Sequence, residues 1–203
     1  MSEPLLLIGC GGHARSLIDV VERSGRWHVL GLVGLPEQVG EQVLGYPVLG
    51  SDQDLPSLRQ QCNHALLGVG HIGFSTKRHS LAVKLGTLDF VLPVVTSALA
   101  HVSRYAQLGM GTSVGHGVIV NAGAKVGDCC ILNTNALIEH DAVIGDYCHI
   151  STGVLVNGGT KIGAGSFIGS GAVLREGLDL PHKTVIGAGK CVMGWPMRDK
   201  HLR

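Results

Sequence analysis

Several features that would have pointed to other classes of protein are missing from this chain. No basic cluster occurs and the formal net charge is only +1, which argues against nucleic acid as the main partner. No apolar run is long enough to span a bilayer. The opening residues show neither a cationic region nor a cleavage site, so Leu5 to Ile8 reads as a short strand rather than a signal. The six cysteines (Cys10, Cys62, Cys129, Cys130, Cys148, Cys191) contain no CxxC pair and no secreted-scaffold spacing, and the expected setting is a reducing cytoplasm. Aromatic residues make up only 4% of the 203 positions, whereas glycine accounts for 31 of them. That balance suits a tightly wound repeat with many turns.

The repeat itself begins at Val102. Stepping forward six residues at a time lands on Leu108, Val114, Val120, Val126, Leu132 and Ile138, and the aliphatic run continues without a slip to Val192. The second residue before each is mostly small, as at Ala124, Cys130, Ala136, Ala142 and Cys148, where a thiol acts as a compact apolar group. Neither a helix nor a hairpin has this period. It predicts a coil of short parallel strands, each about one hexapeptide long, with three strands closing a triangular turn of roughly 18 residues. Val102 to Val192 gives room for about five coils. The pattern resembles the hexapeptide-repeat acyltransferases, and the resemblance implies a left-handed parallel β-helix.

The N-terminal part reads differently. Leu5–Ile8 is a buried-strand run, followed by Gly9-Cys10-Gly11-Gly12-His13-Ala14 and a helix with Leu17, Ile18, Val20 and Val21 on one face. A second strand is expected over Val29–Val33, a loop up to Gly50, a helix from Ser51 to Gln61, a third strand over Ala65–Val69 and a helix from Thr76 to Leu85. This is a small Rossmann-like α/β domain with a parallel sheet, placed at residues 1–92. Residues 90–100 read as a linker, the first coil starts near Thr96, and the β-helix domain takes residues 93–203. A glycine-rich turn between strand and helix directs backbone N–H groups toward a phosphate. The end of the second strand, Val33-Gly34-Leu35, offers no acid for a ribose. A phosphate-bearing sugar nucleotide, NAD, or a turn with no ligand therefore all remain open readings of the glycines.

Within the coils, every third hexad forms a column along one edge. Gly109, Gly127, Gly145 and Gly163 are read as corners needing positive φ, and Asn121 and Asn157 as residues tolerating the left-handed conformation. Glu139 fits such a corner poorly, and it stands beside His140, with Asp141 on the other side. A neighbouring carboxylate favours the charged imidazolium and makes the ring a stronger base. The residues alone do not choose between Glu139 and Asp141 for that role.

Taken with the glycine-rich N-terminal domain, Asn133-Thr134, Glu139-His140-Asp141 and Gly194-Trp195-Pro196-Met197 resemble the UDP-4-amino-sugar N-acetyltransferases of bacillosamine synthesis and the related sialic-acid O-acetyltransferases. The resemblance covers nearly the whole chain. It implies that His140 is the general base, that Asp141 raises its basicity, and that Asn133 hydrogen-bonds near the reacting amine. It implies acetyl-CoA as co-substrate, touched by His149, Gly158, Ser170 and Ala188. It also implies a nucleotide sugar held by Gly11, Gly12, His13 and Gly70, no metal, and a homotrimer with active sites between subunits. Gly158 lies one coil beyond His140, where its N–H would face a thioester oxyanion. His149 is half a coil from His140 and would converge with it only across a subunit interface. One departure stands out: relatives that bind UDP commonly carry an acidic pair where this chain has Val33-Gly34, which leaves room for another nucleotide or a sialic-acid-like acceptor.

The expected activity is acetyl transfer to the amine of a nucleotide-linked 4-amino-4,6-dideoxy sugar for surface glycans. O-acetylation of a sialic-acid-type sugar is the alternative within the class. Outside it stand a non-catalytic scaffold trimer and a zinc enzyme of the γ-class carbonic anhydrase type. The zinc reading needs two ligand histidines about five residues apart, and His116, His140 and His149 supply no such pair.

Overall fold

In the computed structural model residues 2–196 are described, so Met197 of the closing motif lies outside the described residues. The chain divides into two compact units. One is the chain up to Gly70 together with Thr76–Ala98, and the other is His71–Ser75 together with the chain from Leu99 onward.

The first unit is an α/β sheet built as the hydrophobic runs dictate. Strand β1 (Glu3–Ile8) is followed by helix α1 (Gly12–Ser24), β2 (Trp27–Gly34), β3 (Gln42–Val43), β4 (Tyr46–Ser51), α2 (Leu55–Arg59), β5 (Ala65–Leu67) and α3 (Thr76–Thr87). The sheet order is β3-β4-β2-β1-β5, parallel throughout except for the β3–β4 hairpin. Leu5, Leu6 and Leu7 are fully buried, as a central parallel strand covered on both sides requires. Helix α1 turns Leu17, Ile18, Val20 and Val21 into the core and ends on Gly25 at φ 68°.

Two expectations fail here. The stretch up to Gly50 is no loop: Tyr46–Ser51 pairs with β2, because Val48 finds a buried place against the sheet despite Pro47 and the glycines around it. Pro47 is tolerated because it stands near the start of the strand, ahead of the first residue paired with β2, Val48. The helix expected from Ser51 shrinks to Leu55–Arg59, since the Asp54 carboxylate accepts from both the N–H (2.8 Å) and the hydroxyl (3.0 Å) of Ser51 and closes a turn first.

In the second unit the six-residue beat becomes sixteen strands from His101 to Val192, each only two residues long and ending on the aliphatic beat residue. The other four residues of each hexad turn the corner, so the strands are shorter than a hexapeptide. Strands pair in parallel with those one coil away, as Ile119 with Leu137 and Leu137 with Leu155. Three flat faces result. The first carries the strands ending at Val102, Val120, Ile138, Val156, Leu174 and Val192. The second carries those ending at Leu108, Val126, Ile144, Ile162 and Leu180, and the third those ending at Val114, Leu132, Ile150, Ile168 and Ile186. From Val114 onward every beat residue is buried, together with Ala124, Cys130, Ala136, Ala142 and Cys148 beside them.

The corners correct the reading of the columns. Positive φ falls on the third residue after each beat position, from Gly111 to Gly189 without interruption, and the non-glycine members are Cys129, Asn135, Asp141, Tyr147 and Lys183. Gly109, Gly127, Gly145 and Gly163 are not among them. Their side chains are excluded by the next coil instead: a Cβ on Gly127 would stand 2.7 Å from the Asp146 nitrogen, and one on Gly145 2.6 Å from that of Ala164. Nor are Asn121, Glu139 or Asn157 left-handed. Asn157 donates its amide to the Leu174 carbonyl (2.7 Å), one coil on.

Candidate active site

His140 and Asp141 follow the beat residue Ile138 on the edge between the first and second faces. Asp141 takes the left-handed slot (φ 59°), a conformation Asp tolerates better than most residues. That bend brings its Oδ2 to 2.9 Å from His140 Nδ1. A carboxylate only accepts, so Nδ1 carries the proton and Nε2 presents a lone pair. The hydrogen bond from the ring to Asp141 holds the imidazole pKa above its ordinary value, and Glu139 and Glu176 add to the same field. Both His140 and Asp141 are exposed, as a base that must meet a substrate requires.

Glu139 turns elsewhere. Its Oε2 accepts from Asn121 Nδ2 at 2.8 Å, one coil earlier, and from the His140 backbone N–H at 3.3 Å. The choice between the two carboxylates, open in the sequence, is thus made by the corner geometry. One coil beyond, Gly158 lies against the imidazole: a Cβ there would be 2.7 Å from both Cε1 and Nε2. The backbone keeps that stacking in register, since Gly159 donates to the His140 carbonyl (3.0 Å) and Gly177 to that of Gly158 (2.9 Å).

The remaining candidates lie apart from this edge within one chain. Asn133 is on the edge between the third and first faces, where its Oδ1 accepts from the Thr134 N–H at 2.8 Å. Ser170 and Ala188 share that edge. The Ser170 and Ser151 hydroxyls are bonded at 2.9 Å, and Gly189 donates to the Ser170 carbonyl at 2.8 Å. His149 opens a strand of the third face, buried under His71, whose carbonyl accepts from its Nδ1 at 2.7 Å. The rings of His71 and Phe167 meet it edge-on at 5.4 and 5.2 Å. Among the candidates, then, His140, Asp141, Glu139 and Gly158 come together on one edge, and Asn133, Ser170 and Ala188 on another. The first face lies between the two edges, and its four central outward residues, Ile119, Leu137, Leu155 and Val173, are apolar, with Ile119 and Leu155 exposed, while His101 and Cys191 stand at its two ends.

The sugar-nucleotide candidates gather in the first unit. Gly11, Gly12, His13 and Gly70 line a cavity of about 490 Å³ at the carboxyl ends of β1, β2 and β5. A Cβ on Gly11 or Gly12 would meet nothing within 4 Å, so the turn is open to a ligand. Gly11 caps α1, which has no acidic residue in its first turn to compete for the N–H groups. At the end of β2, Gly34 faces Cys10 Sγ and Gln38 Oε1, which leave no space for a larger side chain.

Asn121, Glu176, His71, Asp52 and Lys77 were missed from the sequence. Asn121 and Glu139 differ by one coil, a signal already present in the beat. Asp52 and Lys77 line the cavity and carry no such signal, because what brings them together is the order of strands in the sheet and not a spacing along the chain.

Comparison with known proteins follows the same division. The N-terminal PglD domain family matches residues 4–85, and the bacterial transferase hexapeptide family (six repeats) matches residues 141–176. No curated protein matches the sequence. Among solved structures, the acetyltransferase domain of PglB from Neisseria gonorrhoeae is 31% identical with a TM-score of 0.84, covering 93% of this chain and 90% of that one. It has also been solved with acetyl coenzyme A. A mutant GDP-perosamine N-acetyltransferase from Caulobacter crescentus, in complex with CoA and GDP-perosamine, is 33% identical with a TM-score of 0.85, covering 91% of this chain and 86% of that one. WeeI from Acinetobacter baumannii, at 21% identity and a TM-score of 0.73, shares the fold. The left-handed winding is that of these structures.

Proposed function

This chain belongs to the hexapeptide-repeat sugar N-acetyltransferases with a PglD-type N-terminal domain, and from that premise we propose the following reaction. It transfers the acetyl group of acetyl-CoA to the amine of a nucleotide-linked amino sugar, a 4-amino-4,6-dideoxy sugar destined for a surface glycan. The observation that carries the reading is the His140–Asp141 pair at 2.9 Å with Gly158 packed on the same imidazole. His140 Nε2 takes a proton from the sugar amine as its nitrogen bonds to the thioester carbonyl carbon. The carbonyl electrons move onto oxygen, where the Gly158 N–H is assigned to receive them. Collapse breaks the carbon–sulfur bond, and the proton held by His140 passes to the departing thiolate, giving amide and CoA thiol. No covalent enzyme intermediate is needed.

The N-terminal unit, assigned to residues 1–92, binds the nucleotide sugar through Gly11, Gly12, His13 and Gly70. Residues 93–203 bind acetyl-CoA, with His149, Ser170 and Ala188 as contacts and Asn133 near the amine. A homotrimer is the assembly we infer. An apolar first face with one cluster of candidates on each edge suits a closed threefold ring, in which one edge of each chain meets the opposite edge of its neighbour. The neighbouring structures supply the support for acetyl-CoA as co-substrate. An acetyl-CoA donor favours a cytoplasmic setting, and among the described residues no helix is long and apolar enough to cross a membrane.

The deciding assay follows CoA thiol release with GDP-, UDP- and dTDP-linked 4-amino sugars beside free sialic acids. Transfer to a nucleotide-linked amine is expected. Turnover with sialic acid alone would overturn the reading in favour of O-acetylation.

A further inference from the structure

The cavity of the N-terminal unit is electrically lopsided. Asp52 is the only carboxylate and Lys77 the only ammonium among the residues lining it. Asp52 immediately follows β4, whereas Lys77 sits in the first turn of α3, next to the Gly68–Gly70 stretch after β5. In the sheet order β3-β4-β2-β1-β5 the strand before Asp52 and the strand before Lys77 lie on either side of β1, whose carboxyl end carries the glycine turn. Phosphate groups are drawn to the middle and to the lysine side by the helix N–H groups and the ammonium. They are repelled by Asp52. A carboxylate accepts hydrogen bonds and donates none, so the ligand portion beside it must offer hydroxyl or N–H donors.

In dinucleotide-binding sheets an acid at the end of the second strand holds the ribose hydroxyls. Here that place is closed, for a Cβ on Gly34 would stand 2.7 Å from Cys10 Sγ and 3.0 Å from Gln38 Oε1. The nearest strand end on the same side is that of β4, where Asp52 stands with its carbonyl fixed by Lys84 Nζ. We propose that Asp52 is the ribose-binding carboxylate of this cavity, so that the enzyme selects sugars carried on a ribonucleoside diphosphate over those on a 2′-deoxyribonucleoside diphosphate. The inference rests on the nucleotide-sugar reading of the cavity and narrows it.

Calorimetric binding of GDP, UDP and their 2′-deoxy counterparts to the wild-type enzyme and to Asp52→Ala, which removes the acceptor, tests it. A hydroxyl bonded to a carboxylate is worth about tenfold or more in affinity. The wild type should therefore bind both ribonucleotides at least tenfold tighter than the deoxy forms, and Asp52→Ala should erase that ratio while acetyl-CoA affinity stays unchanged. Equal wild-type affinity for ribo and deoxy forms overturns the proposal without need of the variant. So does a ratio that survives in Asp52→Ala, including the case where the variant alters only the order of guanine and uracil. If the wild type binds acetyl-CoA but none of the four nucleotides, the nucleotide reading of the cavity falls and this assignment falls with it.

Discussion

Gly158 and His140 are stacked so closely that a methyl group on the glycine would stand 2.7 Å from both Cε1 and Nε2 of the imidazole. Gly158 does not have positive φ, so alanine meets no backbone penalty there. The clash falls on the exposed end of a ring that can turn away. Gly158→Ala should therefore leave the melting temperature nearly unchanged and lower kcat by about 10²-fold, the scale of a base displaced by an ångström. His140→Ala should lose about 10²–10⁴-fold with the fold intact. Near-normal turnover of His140→Ala at saturating acetyl-CoA would remove His140 from the role of base, and near-normal turnover of Gly158→Ala would show that the ring's contact with Gly158 does not position it.

The pH profile separates the two carboxylates. Asp141 bonds the ring and raises its pKa, with Glu139 and Glu176 contributing more weakly through space. The base acts when neutral, so kcat/KM rises with pH through this raised value. Asp141→Asn, a residue the left-handed slot also accepts, removes the main cause and should move the rising limb to lower pH while depressing the plateau. Glu139→Gln should move it less, since Glu139 is held by Asn121 and not by the ring. A larger shift in Glu139→Gln than in Asp141→Asn would reverse the assignment.

Assembly is accessible through the apolar first face. Leu155 points outward and is exposed within one chain, and Leu155→Glu should convert the proposed trimer to smaller species by light scattering and abolish turnover. Subunit mixing is sharper. If each site draws His140 from one chain and His149 from the next, co-refolding inactive His140→Ala with inactive His149→Ala restores about a quarter of the sites, by random assortment around a threefold ring. No recovery would mean that the two histidines do not meet across chains.

The two classes of corner glycine should respond differently to alanine. Gly145→Ala drives a Cβ to 2.6 Å from the Ala164 nitrogen and 2.8 Å from its Cα, atoms that cannot yield without shifting a coil. A cost at the upper end of the about 1–3 kcal/mol typical of overpacking, or beyond it, is expected. Gly153 has φ 66° with nothing near its Cβ, so only the left-handed penalty of about 1–2 kcal/mol applies. Gly187→Ala, with neither feature, should melt like the wild type. Equal melting temperatures for all three variants would contradict the stacking account.

The beat made the β-helix legible because each inward aliphatic occupies the same place in every coil, so one local rule repeats until it is unmistakable. His140 stood out because both its neighbours are acids. The positions of positive φ were misread by two residues, since a period fixes the spacing of corners but not their phase. The strand Tyr46–Ser51 is hidden for a different reason: pairing with β2 overrides the propensities of Gly45, Pro47 and Gly50, and the strand end that carries Asp52 is hidden with it.

Sequence alone determined the hexad repeat, the strand–glycine–helix opening and the identity of the candidate base, all properties of neighbouring residues or of a constant step. Only the tertiary structure decided that Asp141 rather than Glu139 holds the imidazole, that Gly158 presses on it, and that Asp52 lines the same cavity as the glycine turn. These depend on dihedral angles and on approaches between coils or strand ends, which a one-dimensional spacing does not carry.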